Sequence, residues 1–405
     1  MKSTLKHLLA KGGPFIGLIL VIALFSLPTE TREFFLTYHN FKIIFTQTVI
    51  VAIGAIAMTM IIVSGGIDLS AGSSIAFTSV VGALLIQREF GTIPTVILVL
   101  TAGAIIGLVN GTMIAALRMP PFIVTLGTMS MIRGAGKWRA DNQTVNYEGS
   151  PINQWMTTAD PAGYALPPGV WVAIGLATVT AVVLKNTVFG RHVFALGSNE
   201  ATARLCGLPT VRLKIMIYAL AGGFFGLAGL FQLSRLRQGD PTVAVGLELD
   251  IIAAVIIGGA SLSGGVGTIL GSMIGALIMA VLRNGSQQMG WPTYFQEIII
   301  GLVIIVAVFL AIRASQQASA KVLGVELGVA AAILAIGAAL TAAFPAENIH
   351  LATAAEAPIT EIHGAAFGTT WSIKVRGDQV DAELLKRELE AEMNRVEFSL
   401  SHWRT

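Results

Sequence analysis

The sequence predicts an all-α integral membrane protein with about ten spans and an internal repeat, followed by one extra C-terminal span and a short α+β tail. Of the 405 residues, 54% are hydrophobic and 12% are charged, and the mean hydropathy is +0.75. An ordinary soluble domain carries about twice that fraction of charge. The net charge is +7 over the first 345 residues and −4 over the last 60. An apolar body and a soluble-looking acidic end therefore share one chain.

The same composition excludes several classes of function. The basic excess of the body is too small and too scattered for a nucleic-acid surface, since Lys and Arg gather at span ends in membrane proteins. Cys206 is the only cysteine, so neither an intrachain disulfide nor a Cys-based metal cage can form. The six histidines show no paired ligand spacing, and we expect no bound metal. No Gly-x4-Gly-Lys-(Ser/Thr) motif occurs, so any ATP must be bound by another subunit.

The spans are predicted from apolar runs, because a bilayer core of about 30 Å needs about 20 mostly apolar residues per helix. Ten runs meet or approach that length: Pro14–Leu27, Ile43–Val63, Ala71–Gln87, Thr95–Leu117, Pro121–Lys137, Gly169–Leu184, Ile215–Ser234, Ile251–Leu262, Gly267–Leu282 and Phe295–Ile312. An eleventh, Val322–Phe344, is the extra span. No cleavage site follows the first run, so we expect it to be retained. The densest basic stretches, the N-terminus and Lys185–Lys214, are predicted to lie inside the cell.

Two glycine-rich passages interrupt the apolar pattern in the same way. Residues 65–72 and 258–265 both read Gly-Gly-x-(Asp/Ser)-Leu-Ser-(Ala/Gly)-Gly. Such paired breaks indicate an internal repeat whose broken helices expose backbone groups to a polar cavity, as in transporters. The alternative is that these glycines only allow close helix packing. The glycines of the predicted broken helices are Gly65, Gly66, Gly258 and Gly259.

Polar residues near these passages are candidates for a solute path. Asp68 and Asp250 lie at or within apolar runs, where an ionised carboxylate is costly unless it faces water or a partner. The alternative is that each aspartate only caps the helix that follows it. Hydroxyls and carboxylates would suit a neutral polyol, whereas a charged solute would need a buried countercharge, and none stands out. The candidate path residues are Asp68, Ser70, Ser73, Ser74, Asp250, Ser261 and Ser263.

The basic loop contains a predicted helix of two turns. Asn199 is expected to be its N-cap, Gly207 its C′ residue and Pro209 its stop. Glu200 and Arg204 are four residues apart in the favourable order, which adds only a few tenths of a kcal/mol. Because so short a helix is marginal alone, it must dock on something. We favour docking on a cytoplasmic partner. The alternative is that the helix packs on the span ends of its own chain.

Five motifs resemble those of the permease subunit of bacterial ribose/xylose-type ABC importers. They are Ser64–Ser70, Pro121–Gly127, Phe189–Arg191, Ala195–Gly207 and Glu248–Gly265, and the resemblance covers about residues 1–313. It implies a ten-span inner-membrane core that imports a monosaccharide by alternating access and is not itself an enzyme. It also implies three partners: a second permease copy or paralogue, a periplasmic substrate-binding protein, and an ATPase subunit that binds ATP and Mg²⁺. The ATPase is expected to dock at Asn199, Glu200, Arg204 and Gly207. A riboflavin or nucleoside importer and a secondary transporter are the alternatives.

The tail departs from that family. Trp371, Ile373 and Val375 alternate with polar residues and predict a strand, and an apolar stripe over Leu384–Leu400 predicts a helix. Residues Gly364–Arg404 resemble the beginning of a periplasmic FAD:protein FMN transferase. The rest of such an enzyme is missing, so we expect no flavin transfer and interpret the tail as a fused or truncated fragment. A membrane-anchored flavin-transfer protein and a riboflavin cargo are the alternatives.

This interpretation divides the chain into three parts. They are a ten-span permease (1–313), a linker with the extra span (314–345) and a truncated flavin-transferase-like tail (346–405). If Arg313 is inside, the extra span delivers the tail to the periplasm.

Overall fold

The computed structural model describes residues 2–27, 33–157 and 166–292, scattered positions from 294 to 309, residues 359–366 and 369–376, and five positions between 383 and 391. The chain divides into two units, Met1–Ala339 and Leu340–Thr405. The first unit is a helical bundle. Its principal helices are α1 (Lys2–Ser26), α2 (Tyr38–Val63), α3 (Ala71–Gln87), α4 (Thr92–Ala115), α5 (Pro121–Arg139), α6 (Pro168–Asn186), α7 (Val188–Ser198), α8 (Glu200–Leu205), α9 (Thr210–Leu236), α10 (Leu247–Ile257) and α11 (Ile269–Gln288).

Within the described residues, five helices are long and apolar enough to cross a membrane: α2, α4, α6, α9 and α11. Two shorter stretches, Pro14–Ser26 and Ala71–Gln87, are also apolar. The first nine predicted runs each overlap a helix of the structure, and the described positions within Phe295–Ile312 are helical. The run Val322–Phe344 lies outside the described residues. The count of ten spans therefore stays a prediction, and a mostly helical membrane protein is what the structure supports.

Helix α9 makes the most extensive helix–helix contact of the bundle, which is with α4, and it also packs on α2 and α3. Glycines let the backbones of α4 and α9 touch. A β-carbon added at Gly103 would overlap the carbonyl oxygen of Gly222, and one at Gly107 would overlap that of Tyr218. Small residues that permit such close approach are a common means of joining helices in membranes, where the hydrophobic effect does not drive helix association.

Two short strands join loops of the bundle. Strand β1 (Val145–Asn146) pairs antiparallel with β2 (Gln238–Gly239), and a 3₁₀ turn at Pro151–Gln154 follows β1. The Ser234 hydroxyl at the end of α9 donates to Ile152 O (2.6 Å). The loop between α5 and α6 is thereby fixed to the end of α9.

The second unit contains an antiparallel hairpin of β3 (Ile359–Ala366) and β4 (Thr369–Arg376), in which Ile359 lies opposite Arg376. Strand β4 confirms the strand predicted around Trp371. Strand β3 was not predicted, because its apolar residues do not alternate with period two. The five described positions between 383 and 391, close to the predicted tail helix, are helical.

Candidate functional site

Helix α2 ends in a glycine turn at the first predicted break. After Val63, Gly65 N donates to Ile62 O (2.9 Å) and Gly66 N donates to Ile61 O (2.9 Å). Gly65 has φ +83°, in the left-handed region that only glycine enters without steric cost. This Schellman arrangement satisfies carbonyl groups at the helix end and stops the helix.

Helix α10 ends with the same arrangement at the second break. After Ile257, Gly259 N donates to Ile256 O (2.9 Å) and Ala260 N donates to Val255 O (3.1 Å). Gly259 has φ +88°. The run predicted as Ile251–Leu262 therefore stops as a helix at Ile257, because the left-handed glycine cannot continue it. In both halves of the predicted repeat, a helix therefore ends in the same Schellman turn with a left-handed glycine.

The structural repeat is displaced by one residue from the sequence repeat. The sequence pattern aligns Gly65 with Gly258, whereas the left-handed residues are Gly65 and Gly259. Gly258 has another role, since a β-carbon there would lie 2.5 Å from Ser272 N and would overlap the backbone of Gly271 in α11. Close packing thus accounts for Gly258, and chain reversal accounts for Gly65 and Gly259.

The two breaks meet each other and the end of α7. Gly265 N donates to Val63 O (2.8 Å), and a β-carbon at Gly264 would lie 3.0 Å from Gly65 Cα. A β-carbon at Gly197 would overlap Val63 O and lie 2.7 Å from Gly265 N. We call this meeting of Val63–Gly65, Gly264–Gly265 and Gly197 the glycine junction. It joins three segments through backbone atoms. Sequence analysis did not assign Gly197 to it.

Asp68 is tied into the first break by hydrogen bonds. Its Oδ1 accepts from Ser70 N (2.8 Å) and from Ser70 Oγ (2.6 Å). Asn110 of α4 donates to Ser70 Oγ (2.9 Å), and the Tyr218 hydroxyl of α9 donates to Ile67 O (3.0 Å). Asp68, Ser70 and Asn110 are at most 2% exposed. Asp68 therefore orders the turn that precedes α3 but does not cap the helix, because the N-cap residue is Ser70. Asn110 and Tyr218 are partners that sequence reasoning missed.

Asp250 does not cap a helix at Ile251, so that alternative is wrong. Helix α10 begins at Leu247, after Gly246 with φ +79°, which places Asp250 in its first turn. Asp250 Oδ2 accepts from Arg283 Nη2 of α11 at 2.5 Å. Arg283 is the partner of Asp250 that sequence analysis did not identify, because the pairing depends on how α10 and α11 pack.

The serines fall into two groups. Ser73 and Ser74 lie in the first turn of α3 and are fully buried, and neither hydroxyl oxygen has a hydrogen-bond partner among the described residues. Ser261 is half-buried and Ser263 is exposed in the second break, where Ser263 N donates to Ser261 Oγ (3.3 Å). The structure therefore places the predicted path residues at several points around the two breaks rather than in one cluster.

The helix predicted in the basic loop is present as α8. The Asn199 side chain accepts from Thr202 N (2.9 Å), and Gly207 follows the helix with φ +83°. Both predicted caps are confirmed. Leu205, the last residue of α8, is 88% exposed, so the described residues leave one apolar side chain of this helix uncovered.

Helix α8 is also attached to α9 by a charged pair that sequence reasoning missed. Glu200 lies 3.6 Å from Arg204 and 2.6 Å from Lys214 Nζ of α9. A groove of about 780 Å³ runs beside α8, between it and the loop that contains Arg118. The helix therefore packs in part on its own span end, while its outer side and the groove stay accessible.

Within the part of the chain that the structure describes, no group of three or more His, Cys, Asp or Glu side chains is close enough to hold a metal ion. The geometry offers hydrogen-bonding groups and backbone turns within a helical bundle. Groups of this kind can hydrogen-bond a small polar solute.

Comparison with known proteins identifies the family. A family model described as branched-chain amino acid transport system / permease component matches residues 40–308. The ribose import permease of Escherichia coli K12 is 39% identical over 299 residues, which cover 73% of this chain and 91% of that protein. The L-arabinose ABC transporter permease of Azospirillum brasilense is 33% identical over 308 residues, which cover 76% and 90%.

The galactose/methyl galactoside import permease of Escherichia coli K12 is 34% identical over 334 residues, which cover 76% of this chain and 96% of that protein. No solved structure matches the chain significantly. The family match extends over most of the helical bundle and ends before the predicted extra span and the tail. The chain therefore belongs to the family of permease components of the branched-chain amino acid transport system type.

Proposed function

We propose that this chain is the permease subunit of an ATP-driven importer in the bacterial inner membrane that moves a monosaccharide into the cytoplasm. The observation that carries the proposal is the match to ribose, arabinose and galactose permeases over 90% or more of their own lengths. The permease itself breaks no bond. ATP binding and hydrolysis in a partner subunit bias two states of the permease, which open alternately to the two sides of the membrane.

The proposed assembly contains four kinds of component. They are this permease, a second copy or a paralogue of it, an ATPase subunit that binds ATP and Mg²⁺, and a periplasmic binding protein that delivers the solute. We place the N-terminus and the loop containing α8 in the cytoplasm, because their basic residues favour that side. No nucleic acid takes part.

Uptake into proteoliposomes tests this proposal. The chain, its ATPase and its binding protein are reconstituted with ATP inside, and radiolabelled ribose, riboflavin, uridine and leucine are offered separately. We expect uptake of ribose alone, and only with ATP, because the named relatives carry pentoses and hexoses. Uptake of riboflavin, uridine or leucine in place of ribose would contradict the cargo, and uptake driven by an ion gradient without ATP would indicate a secondary transporter.

The solute path of the proposed importer follows the two breaks. Its residues are Asp68, Ser70, Ser73, Ser74, Asp250, Ser261 and Ser263, beside Gly65, Gly66, Gly258 and Gly259. Two features support this path. The breaks meet at the glycine junction, and the first turn of α3 carries serine hydroxyls that have no partner among the described residues. Broken helices in both halves of a transporter are the usual location of such a path.

The ATPase is proposed to dock on α8, at Asn199, Glu200, Arg204 and Gly207. The exposed Leu205 and the groove beside α8 support this surface. Glu200→Lys is expected to lower ATP-driven ribose uptake by about tenfold, within the usual range of coupling between sites. The reversed charge would repel Lys214 and Arg204 and detach α8 from α9. Stability should change by less than about 1 kcal/mol, because exposed ion pairs contribute little.

Two control variants separate this effect from a general change of charge. Glu148→Lys reverses an exposed carboxylate in the loop between α5 and α6 and should leave uptake unchanged. The exchange of Glu200→Lys with Lys214→Glu restores the pair to α9 and should recover uptake. Full uptake in the Glu200→Lys variant alone would contradict a coupling role for the α8 surface.

The tail is proposed to be a fused or truncated flavin-transferase-like fragment on the periplasmic side, without flavin transfer of its own. The support is the short resemblance over Gly364–Arg404 and the end of the family match at residue 308. In this proposal the permease spans 1–313, the linker with the extra span 314–345, and the tail 346–405. A membrane-anchored flavin-transfer protein is the weaker alternative, because so many spans exceed what an anchor needs.

A further inference from the structure

The first turn of α3 gathers buried polar atoms that have no partners among the described residues. They are Ser73 Oγ, Ser74 Oγ and Oε2 of Glu248, which lies in the first turn of α10. Both serines are fully buried, and Glu248 is 8% exposed. Buried polar groups in folded proteins nearly always find a partner, so three orphan oxygens among the first turns of two helices call for an explanation.

Gly72 shows where the Glu248 carboxylate lies. A β-carbon at Gly72 would overlap Glu248 Oε2 and would lie 2.6 Å from Ala244 O. The carboxylate therefore rests against the start of α3. A helix start also presents backbone N–H groups without intrahelical partners, and the side chain of Ser70, the N-cap residue of α3, accepts a hydrogen bond from none of them. The backbone N–H groups at the start of α3 need an acceptor, and the Glu248 carboxylate needs a donor. Both therefore lie at the first turn of α3.

The chemistry of these groups selects the class of ligand. A carboxylate only accepts hydrogen bonds and N–H groups only donate them, while a serine hydroxyl does both. A molecule with several neutral hydroxyls can serve all three kinds at once, because each hydroxyl donates once and accepts twice. A zwitterionic amino acid could place its ammonium group on Glu248 and its carboxylate on the N–H groups, so the choice of a carbohydrate also uses the similarity to ribose, arabinose and galactose permeases. A carbohydrate is the better match.

We propose that Glu248, together with Ser73 and Ser74, contacts solute hydroxyl groups inside the permease and selects polyhydroxylated cargo. This inference rests on the function proposed above and adds a residue that the predicted path did not include. The neighbouring Asp250 is already paired with Arg283, so Glu248 is the acidic group of α10 that has an oxygen free for a solute. A buried Glu248 Oε2 without a hydrogen bond lowers the stability of the fold. In this proposal that loss is accepted because the oxygen is needed to bind the solute.

Transport and stability measured on the same variants test the proposal. In the reconstituted complex, Glu248→Gln is expected to lower ribose uptake at saturating binding protein by about tenfold or more, as expected for a lost hydrogen bond to a charged group. ATP hydrolysis stimulated by the loaded binding protein should persist, since α8 is untouched. Glu248→Leu should lose uptake as well, while its unfolding temperature in detergent equals or exceeds that of the wild type, because no protein hydrogen bond is removed.

The outcomes are distinct from a failure of the proposed function. If the wild-type complex takes up none of ribose, arabinose and galactose, the proposed function fails. If the wild type takes up ribose and both Glu248 variants do so at the same rate, this inference alone is overturned. A fall in unfolding temperature that parallels the loss of uptake would also overturn it, because that is the signature of a structural residue. Glu148→Gln, at an exposed carboxylate, is the matched control and should change neither quantity.

Discussion

Gly222→Ala is expected to destabilise the helical bundle by about 3 kcal/mol, the upper end of the usual cost of overpacking. The added β-carbon would overlap the Gly103 carbonyl oxygen and lie 2.9 Å from Gly107 N. Since these are backbone atoms of α4, no side-chain rotation can relieve the overlap, and the two helices must separate. Thermal unfolding of the full chain in detergent measures the loss.

The next residue supplies the control. A β-carbon at Gly223 would meet only Ala104 Cβ at 3.9 Å and Leu100 O at 4.0 Å, which are ordinary contacts. Gly223→Ala should therefore be neutral or stabilise the chain by up to about 1 kcal/mol, because alanine favours a helix over glycine. Opposite effects at adjacent glycines identify close approach as the cause. Equal shifts in the two variants would contradict the proposed α4–α9 contact.

Gly197→Ala is expected to lower ATP-driven uptake by about tenfold or more while the ATPase subunit remains bound. The β-carbon would overlap Val63 O, which now accepts from Gly265 N at 2.8 Å. The glycine junction would then open, and α7 would lose its direct contact with both breaks. The proposed docking surface begins two residues later, at Asn199, and keeps all its side chains, so ATPase binding should persist.

Co-purification of the ATPase and uptake in the same proteoliposomes measure the two effects of Gly197→Ala separately. The control is Gly175→Ala in α6, where a β-carbon would meet nothing within 4 Å. It should leave both uptake and ATPase binding unchanged. Undiminished uptake in the Gly197→Ala chain would show that the junction does not link the ATPase side to the breaks.

Local signals made much of the fold predictable. The predicted run Ala71–Gln87 coincides with α3, and Asn199 and Gly207 cap α8 as expected. Both breaks were recognised because a left-handed turn strongly prefers glycine. Each of these features depends on residues close together in the chain, which a single sequence displays directly.

Long-range contacts were not predictable in the same way. Arg283 pairs with Asp250 across 33 positions, and Tyr218 reaches Ile67 across 151. Such contacts depend on which helices become neighbours, and apolar runs alone do not reveal that order. The one-residue displacement of the repeat was missed for a similar reason, since Gly258 meets Gly271 only in the folded bundle.

The glycine junction has a consequence for how such permeases could evolve. Its contacts are formed by backbone carbonyl, amide and α-carbon atoms of Val63 and of glycines, and no side chain takes part in them. A mechanical linkage of this kind is indifferent to the chemistry of the cargo. After gene duplication, the side chains that contact the solute could therefore change while the backbone contacts of the junction are kept. The same coupling mechanism could then serve permeases for different solutes.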